Sequence, residues 1–139
     1  MADLNVTTSG VIAANSNTVV ASGYSAAAIN AGQVLYLNSS QQLAPAQASS
    51  STQAGTVVGV ALDSALGANQ LVTYASAGDV VLPTSTTILT NGVQYILSVN
   101  AGAIAPSTDA ANPNFVTHLG LAVSPAVLRL NIMPVAAPR

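Results

Sequence analysis

The chain is predicted to fold as an all-β domain, and three observations lead there. A unit of about sixty residues occurs twice, short β-branched and apolar runs alternate with turn residues, and polarity comes from hydroxyls and amides instead of charges. The repeat is the strongest of the three. Ala44-Pro45 is followed, fourteen residues after the proline, by Gly59-Val60-Ala61-Leu62. Ala105-Pro106 is followed at the same distance by Gly120-Leu121-Ala122-Val123, so both anchors share one offset of 61 residues. Upstream, Ala31-Gly32-Gln33-Val34-Leu35-Tyr36-Leu37 faces Asn91-Gly92-Val93-Gln94-Tyr95-Ile96-Leu97, slipped by one residue. A self-similar block of this length is one supersecondary unit used twice.

The strands follow in order. Gln33–Asn38, Thr56–Leu62, Gln70–Ala75, Asp79–Leu82, Val93–Val99, Phe115–Val123 and Val127–Met133 are short and rich in β-branched or large apolar side chains. Turn formers separate them: Asn38-Ser39-Ser40, Gly67-Ala68-Asn69, Ser76-Ala77-Gly78-Asp79, Asn91-Gly92 and Asn100-Ala101-Gly102. The last of these suits a hairpin with glycine at positive φ. Val127, Arg129 and Asn131 alternate with Leu128, Leu130 and Ile132, the period of a half-buried strand.

Three stretches fall outside this pattern. Segments 44–55 and 106–114 are the equivalent long loops of the two copies, small, polar and expected to be exposed. Residues 1–30 precede the repeat and form an N-terminal arm or an added strand pair, with 25–31 able to make one helical turn. The proline-rich end, 133–139, is expected to run extended without a regular ladder. The organisation is therefore an arm, 1–30, and one small β-barrel or sandwich-like domain, 31–139. That domain has two related halves, about 32–90 and 92–133, and an extended C-terminal tail.

Composition excludes several functions. Of 139 residues only six carry formal charge: Asp3, Asp63, Asp79 and Asp109 against Arg129 and Arg139. Half of the chain is apolar, which argues for a packed fold over disorder. Two arginines cannot neutralise a phosphate backbone, so nucleic acid is not an expected partner. No run approaches the roughly 20 apolar residues of a membrane helix, and the first residues lack the basic and apolar regions of a signal peptide. With no cysteine there is neither a disulfide framework nor a thiolate metal site. Assembly in a cytoplasm is the expectation.

The reactive residues point away from catalysis. His118, the single histidine, corresponds at the 61-residue offset to Val57, so a strand position explains it more simply than a general base. No nucleophile elbow is present. Asp63 corresponds to Ser124, Asp79 lies in the predicted turn, Asp109 in a long loop and Asp3 near the terminus, and turn or cap duty is their expected use. Neither a metal nor another cofactor is expected. Tyr24, Tyr36, Tyr74 and Tyr95 suit core-edge packing first and interface anchoring second.

One succession carries a resemblance. Ala31-Gly32-Gln33-Val34-Leu35-Tyr36-Leu37, then Leu43-Ala44-Pro45-Ala46, Gly59-Val60-Ala61-Leu62 and Gly67-Ala68-Asn69-Gln70-Leu71-Val72-Thr73-Tyr74 through Gly78-Asp79-Val80 resemble tailed-bacteriophage capsid decoration (cement) proteins. The resemblance spans about residues 31–82 and more weakly the second copy through Val123. It implies a small β-barrel-like protein seated outside a capsid, stabilising it against internal DNA pressure, assembled in the host cytoplasm and located on the virion. Its implied partners are the major capsid protein and further copies of itself, with a trimer favoured. Candidate contacts are Leu4, Val6 and Tyr24 in the arm, Arg129 on its strand, and Pro134 and Arg139 in the tail. The alternative is a glycan- or receptor-binding β module of a phage fibre or adhesin acting through loops 44–55 and 106–114, beside Phe115.

Overall fold

The computed structural model describes residues 3–4, 6, 10–14, 17–83, 89–109 and 115–138. The protein is nearly all β. Its antiparallel sheet curls into a half-barrel, with one short α-helix among the described residues. The strands are β1 (Ile12–Ala13), β2 (Val19–Tyr24), β3 (Val34–Leu37), β4 (Leu43–Pro45), β5 (Val57–Ala61), β6 (Leu71–Val81), β7 (Gln94–Leu97), β8 (Ile104–Pro106), β9 (Phe115–Ser124) and β10 (Val127–Pro138). The helix α1 is Ser51–Gly55.

The sheet order β4-β3-β5-β6-β10-β9-β7-β8 is a palindrome of the repeat, with β3 to β6 mirrored by β7 to β10. Registers match residue by residue. Leu35 pairs with Gly59 and Tyr36 with Val57 across a bulge; Tyr95 pairs with Gly120 and Ile96 with His118 across the same bulge. In the first hairpin Leu37 pairs with Leu43, and in the second Leu97 pairs with Ile104. The second copy therefore holds one more residue in its hairpin turn, and this accounts for the slip seen in the sequence. Both units open on a turn glycine at positive φ, Gly32 at 94° and Gly92 at 88°. Gly102, at 75°, serves the second hairpin as the sequence predicts.

The long strand β6 forks. Its first half, at Tyr74 and Ala75, pairs with β5, and its second half, Ala77 to Val81, pairs with β10. The predicted turn at 76–79 is instead continuous strand. Gly78 takes φ 87°, and a side chain there would strike the Asn17 carbonyl. The chain bulges where a turn was expected, and the opposite register shifts between Val19 and Val20.

The bulge has a large consequence for packing. On β5 and β6, Val57, Val60 and Ala75 join Val34 of β3 in the main core, while Leu35, Leu43, Ala61 and Val72 face a second, smaller core closed by Ile29 and Ala65. In the second copy the assignment is reversed. Tyr95, Ile104, Leu119, Ala122 and Leu128 occupy the main core, and they are the counterparts of second-core positions in the first copy. The two halves thus present opposite faces to their shared core.

Other expectations need correcting. Segment 44–55 is not simply exposed: Ala46, Ala48 and Ala54 are buried. Ser50 caps α1 by accepting from Gln53 N at 3.3 Å, and Thr117 donates to the Ala54 carbonyl at 2.6 Å, tying the helix to β9. Segment 25–31 makes β-bridges at Ser25 and Ile29, with no helical turn. The tail pairs through Pro138, with Pro134 opposite Thr117; register shifts on either side accommodate residues that lack an N–H donor. The arm supplies added strands, since β1 and β2 both pair with β6. Segment 106–114 lies partly outside the described residues; its described part includes a short 3-10 turn, Ser107–Asp109.

Candidate functional site: a groove on the outer face of the second copy

Because the second copy turns its other face inward, the face that the first copy buries is left open. Val34, Val57, Val60 and Ala75 lie in the core, whereas Gln94, His118, Leu121 and Arg129 stand at the equivalent registers of β7, β9 and β10 and line an outer groove. Gly120, Asn131 and Met133 complete a depression of about 250 Å³. Its apolar parts are Leu121, 39% exposed, and Met133, 53% exposed. Its polar parts are two amides, one imidazole and one guanidinium.

Each side chain is placed by the strand period. Gln94 pairs with Leu121 on β9, Leu121 with Arg129, and His118 with Met133 on β10. The floor is close-packed at Gly120, where a Cβ would collide with the Arg129 carbonyl. Gly59 holds the equivalent position against the Ala75 carbonyl. The glycine is thus required by the unit's own geometry, where two strands approach at the bulge.

Electrostatically the groove is anchored by one ion pair. Arg129 Nε lies 2.8 Å from Asp79 Oδ1 and Nη2 lies 3.2 Å from Oδ2, a two-pronged contact. Asp79 is nearly buried while Arg129 is more than half exposed. The hydrogen bond to Asp79 is the main reason that the Arg129 guanidinium sits above its ordinary value. The carboxylate charge adds to this, and partial desolvation opposes it. Asp79 is also held through its backbone, its N–H donating to Asn17 Oδ1 at 3.2 Å and its carbonyl accepting from Ala14 N at 3.0 Å. Chemically the arrangement can offer hydrogen bonds and apolar contact. Among the described residues no three His, Cys, Asp or Glu side chains converge on a metal position.

The remaining sequence-selected residues are scattered. Leu4 is buried in the main core, with its N–H bonded to the Ile104 carbonyl at 2.8 Å, so it is engaged within the chain and not free to reach a neighbour. Val6 packs against the same core. Tyr24 is 58% exposed at the end of β2, beside the Ser25–Leu43 bridge to β4, and is not among the residues that line the groove. Arg129, a candidate contact in the sequence, is already paired with Asp79 within the chain. Pro134 lies in β10 opposite Thr117, and Arg139 lies outside the described residues. Of the other tyrosines, Tyr95 is buried and accepts from Thr90 N at 2.8 Å, while Tyr36 and Tyr74 flank the two cores. Asp63 accepts from Thr73 N at 3.1 Å and its counterpart Ser124 accepts from Ala126 N at 3.2 Å, which is turn duty in both copies.

Sequence reasoning missed Gln94, Leu121, Asn131 and Met133. A signal was present: three positions that are Val34, Val57 and Val60 in the first copy are Gln94, His118 and Leu121 in the second, so two of three buried valines become polar. A polar swap at equivalent strand positions marks a face that has changed its surroundings. No known family model matches the chain, and no curated protein matches it.

Proposed function

We propose that the protein is a non-enzymatic structural protein that binds the outside of a phage capsid, contacts the major capsid protein and stabilises the shell. The observation that supports this reading best is the uncovered groove. A β unit has been duplicated, and the face buried in one copy is refitted in the other with amides, Leu121 and Met133. That is a surface for close docking on another protein, with little long-range field to attract a polyanion. The resemblance to capsid decoration proteins supplies the identity of the partner. Copies of the chain associate on the shell, the trimer being what the resemblance implies.

The test is co-sedimentation with purified phage heads. Wild-type protein remains with intact heads, and occupancy changes little as salt is raised, because few charges are available to screen. Leu121→Asp and Met133→Asp, both on exposed positions, reduce occupancy at least tenfold while leaving circular dichroism unchanged. Protein that stays in the supernatant at saturating concentration overturns the reading. Binding that both variants retain, but that changes in loops 44–55 or 106–114 abolish, moves the contact away from the groove.

A further inference from the structure

We propose that Met133 is a redox-modifiable position, and that oxidation of its thioether to the sulfoxide by a peroxide closes the groove to an apolar partner. The inference rests on the docking reading above and adds its regulation. It starts from the sulfur inventory. The chain has no cysteine and two methionines, of which Met133 alone lies among the described residues. Thiols and thioethers are the side chains that take up oxygen from a hydroperoxide, so the groove holds the one described target. Met133 is 53% exposed. It pairs with His118, and the β10–β9 register shifts both before Met133 and after Pro134, so the side chain stands where the ladder is irregular and water reaches it.

The reaction needs only the peroxide as co-reactant. A lone pair on the Met133 sulfur takes the terminal oxygen of hydrogen peroxide, the S–O bond forms as the O–O bond breaks, and water leaves. Sulfur is oxidised and the peroxide is reduced. A flexible apolar group becomes a polar one with a strong acceptor oxygen.

The surroundings decide what that change does. Leu121 and Met133 supply the apolar character of the groove, and oxidation removes one of the two. Gln94, His118, Arg129 and Asn131 line the same depression and all offer N–H donors, while no carboxylate lines it. Arg129 turns Nε and Nη2 to Asp79, which leaves Nη1 outside that pair. A sulfoxide oxygen is therefore met by donors and is held in the groove. Met133 belongs to neither core cluster, so the oxidised chain differs in docking and not in folding. Docking and oxidation also exclude each other, because a partner seated on the groove covers the sulfur. Methionine sulfoxide reductase restores the thioether in the free protein.

Dilute hydrogen peroxide on the purified full chain, followed by peptide mapping and co-sedimentation with phage heads, tests the proposal. Met133 of the folded chain takes up oxygen within about threefold of its rate in urea, and the melting temperature does not change. Oxidation lowers head occupancy by about tenfold or more, and the reductase restores it. On heads, Met133 oxidises about tenfold more slowly than in the free protein. Met133→Leu binds heads equally before and after peroxide, whatever its own occupancy. Folding that slows Met133 oxidation more than about tenfold relative to urea overturns the site. Three results overturn the switch and leave docking standing: oxidised protein that binds like untreated protein, a melting temperature that falls together with occupancy, or Met133→Leu that loses binding on peroxide as the wild type does. Untreated protein that stays off the heads overturns docking and the switch together.

Discussion

Arg129 and Asp79 face each other across the seam between β10 and β6, directly opposed in register and joined by two hydrogen bonds. This seam is where the two copies of the repeat meet in the sheet. The acid is nearly buried and the base is open to solvent, so the two partners are not equivalent.

That asymmetry yields a prediction. Removing the arginine with Arg129→Met leaves a carboxylate in a largely desolvated place without its counter-charge, whereas Asp79→Asn removes the charge itself. Thermal melts therefore show the larger loss for Arg129→Met, a smaller one for Asp79→Asn, and partial recovery in the double variant. A double-mutant cycle with no coupling between the two positions contradicts the pairing.

Face inversion can be tested at one matched pair of positions. Val60 and Leu121 are equivalent in the repeat, yet Val60 is fully buried and Leu121 is 39% exposed. Val60→Gln places an amide in the main core and is expected to cost about 3–5 kcal/mol. Leu121→Gln costs less than about 1 kcal/mol. Denaturant melts giving similar losses at both sites would show that the copies present the same face.

The same inversion explains what the sequence could and could not reveal. The positions of β3, β5, β7, β9 and β10, the duplication, the one-residue slip and the hairpin at Asn100-Ala101-Gly102 were legible, because they rest on local periodicity and turn chemistry. Two misreadings came from residues whose local preference is real but was overridden. Gly78 suits a turn, and here it supplies the positive φ of a bulge within a paired strand. Pro134 and Pro138 suit an unpaired tail, and here they sit beside register shifts in β10. The groove was legible only by comparing the two copies, where Val34 and Val57 become Gln94 and His118, and not from either strand alone. Which face of a strand looks inward depends on residue parity, and one bulge in β6 reverses it for the whole second half. Nothing in the local pattern of Gln94 or Met133 carries that information.

The bulge glycines carry a third prediction. A Cβ at Gly59 would meet the Ala75 carbonyl and the Tyr74 ring, and one at Gly120 would meet the Arg129 carbonyl. Backbone cannot move aside as a side chain can. Gly59→Ala and Gly120→Ala are each expected to lose about 1–3 kcal/mol. Gly55, at the end of α1, has nothing within 4 Å of its would-be Cβ and no positive φ. Gly55→Ala should gain about 0.4–1 kcal/mol by restricting the unfolded chain. Equal behaviour of the three alanine variants in urea melts would remove the case for a close strand approach at the bulges.

The fourth prediction concerns the arm, which the sequence treats as separable from the β domain. Leu4 is 7% exposed within the main core and donates its backbone N–H to Ile104 on β8. Val6 and Val11 pack on the same core, and β1 pairs with the second half of β6. Asp3 adds a contact to the β7–β8 turn, accepting from Asn100 Nδ2 at 2.6 Å. An arm used only to reach a neighbour would be dispensable for folding. This one covers core side chains, so deleting residues 1–10 should lower the melting temperature and expose apolar surface. Leu4→Ala alone should cost about 2–5 kcal/mol, as for other buried leucines. If the truncated protein melts like the full chain, the buried position of Leu4 contributes nothing to stability, and the arm is again free to serve as a contact element.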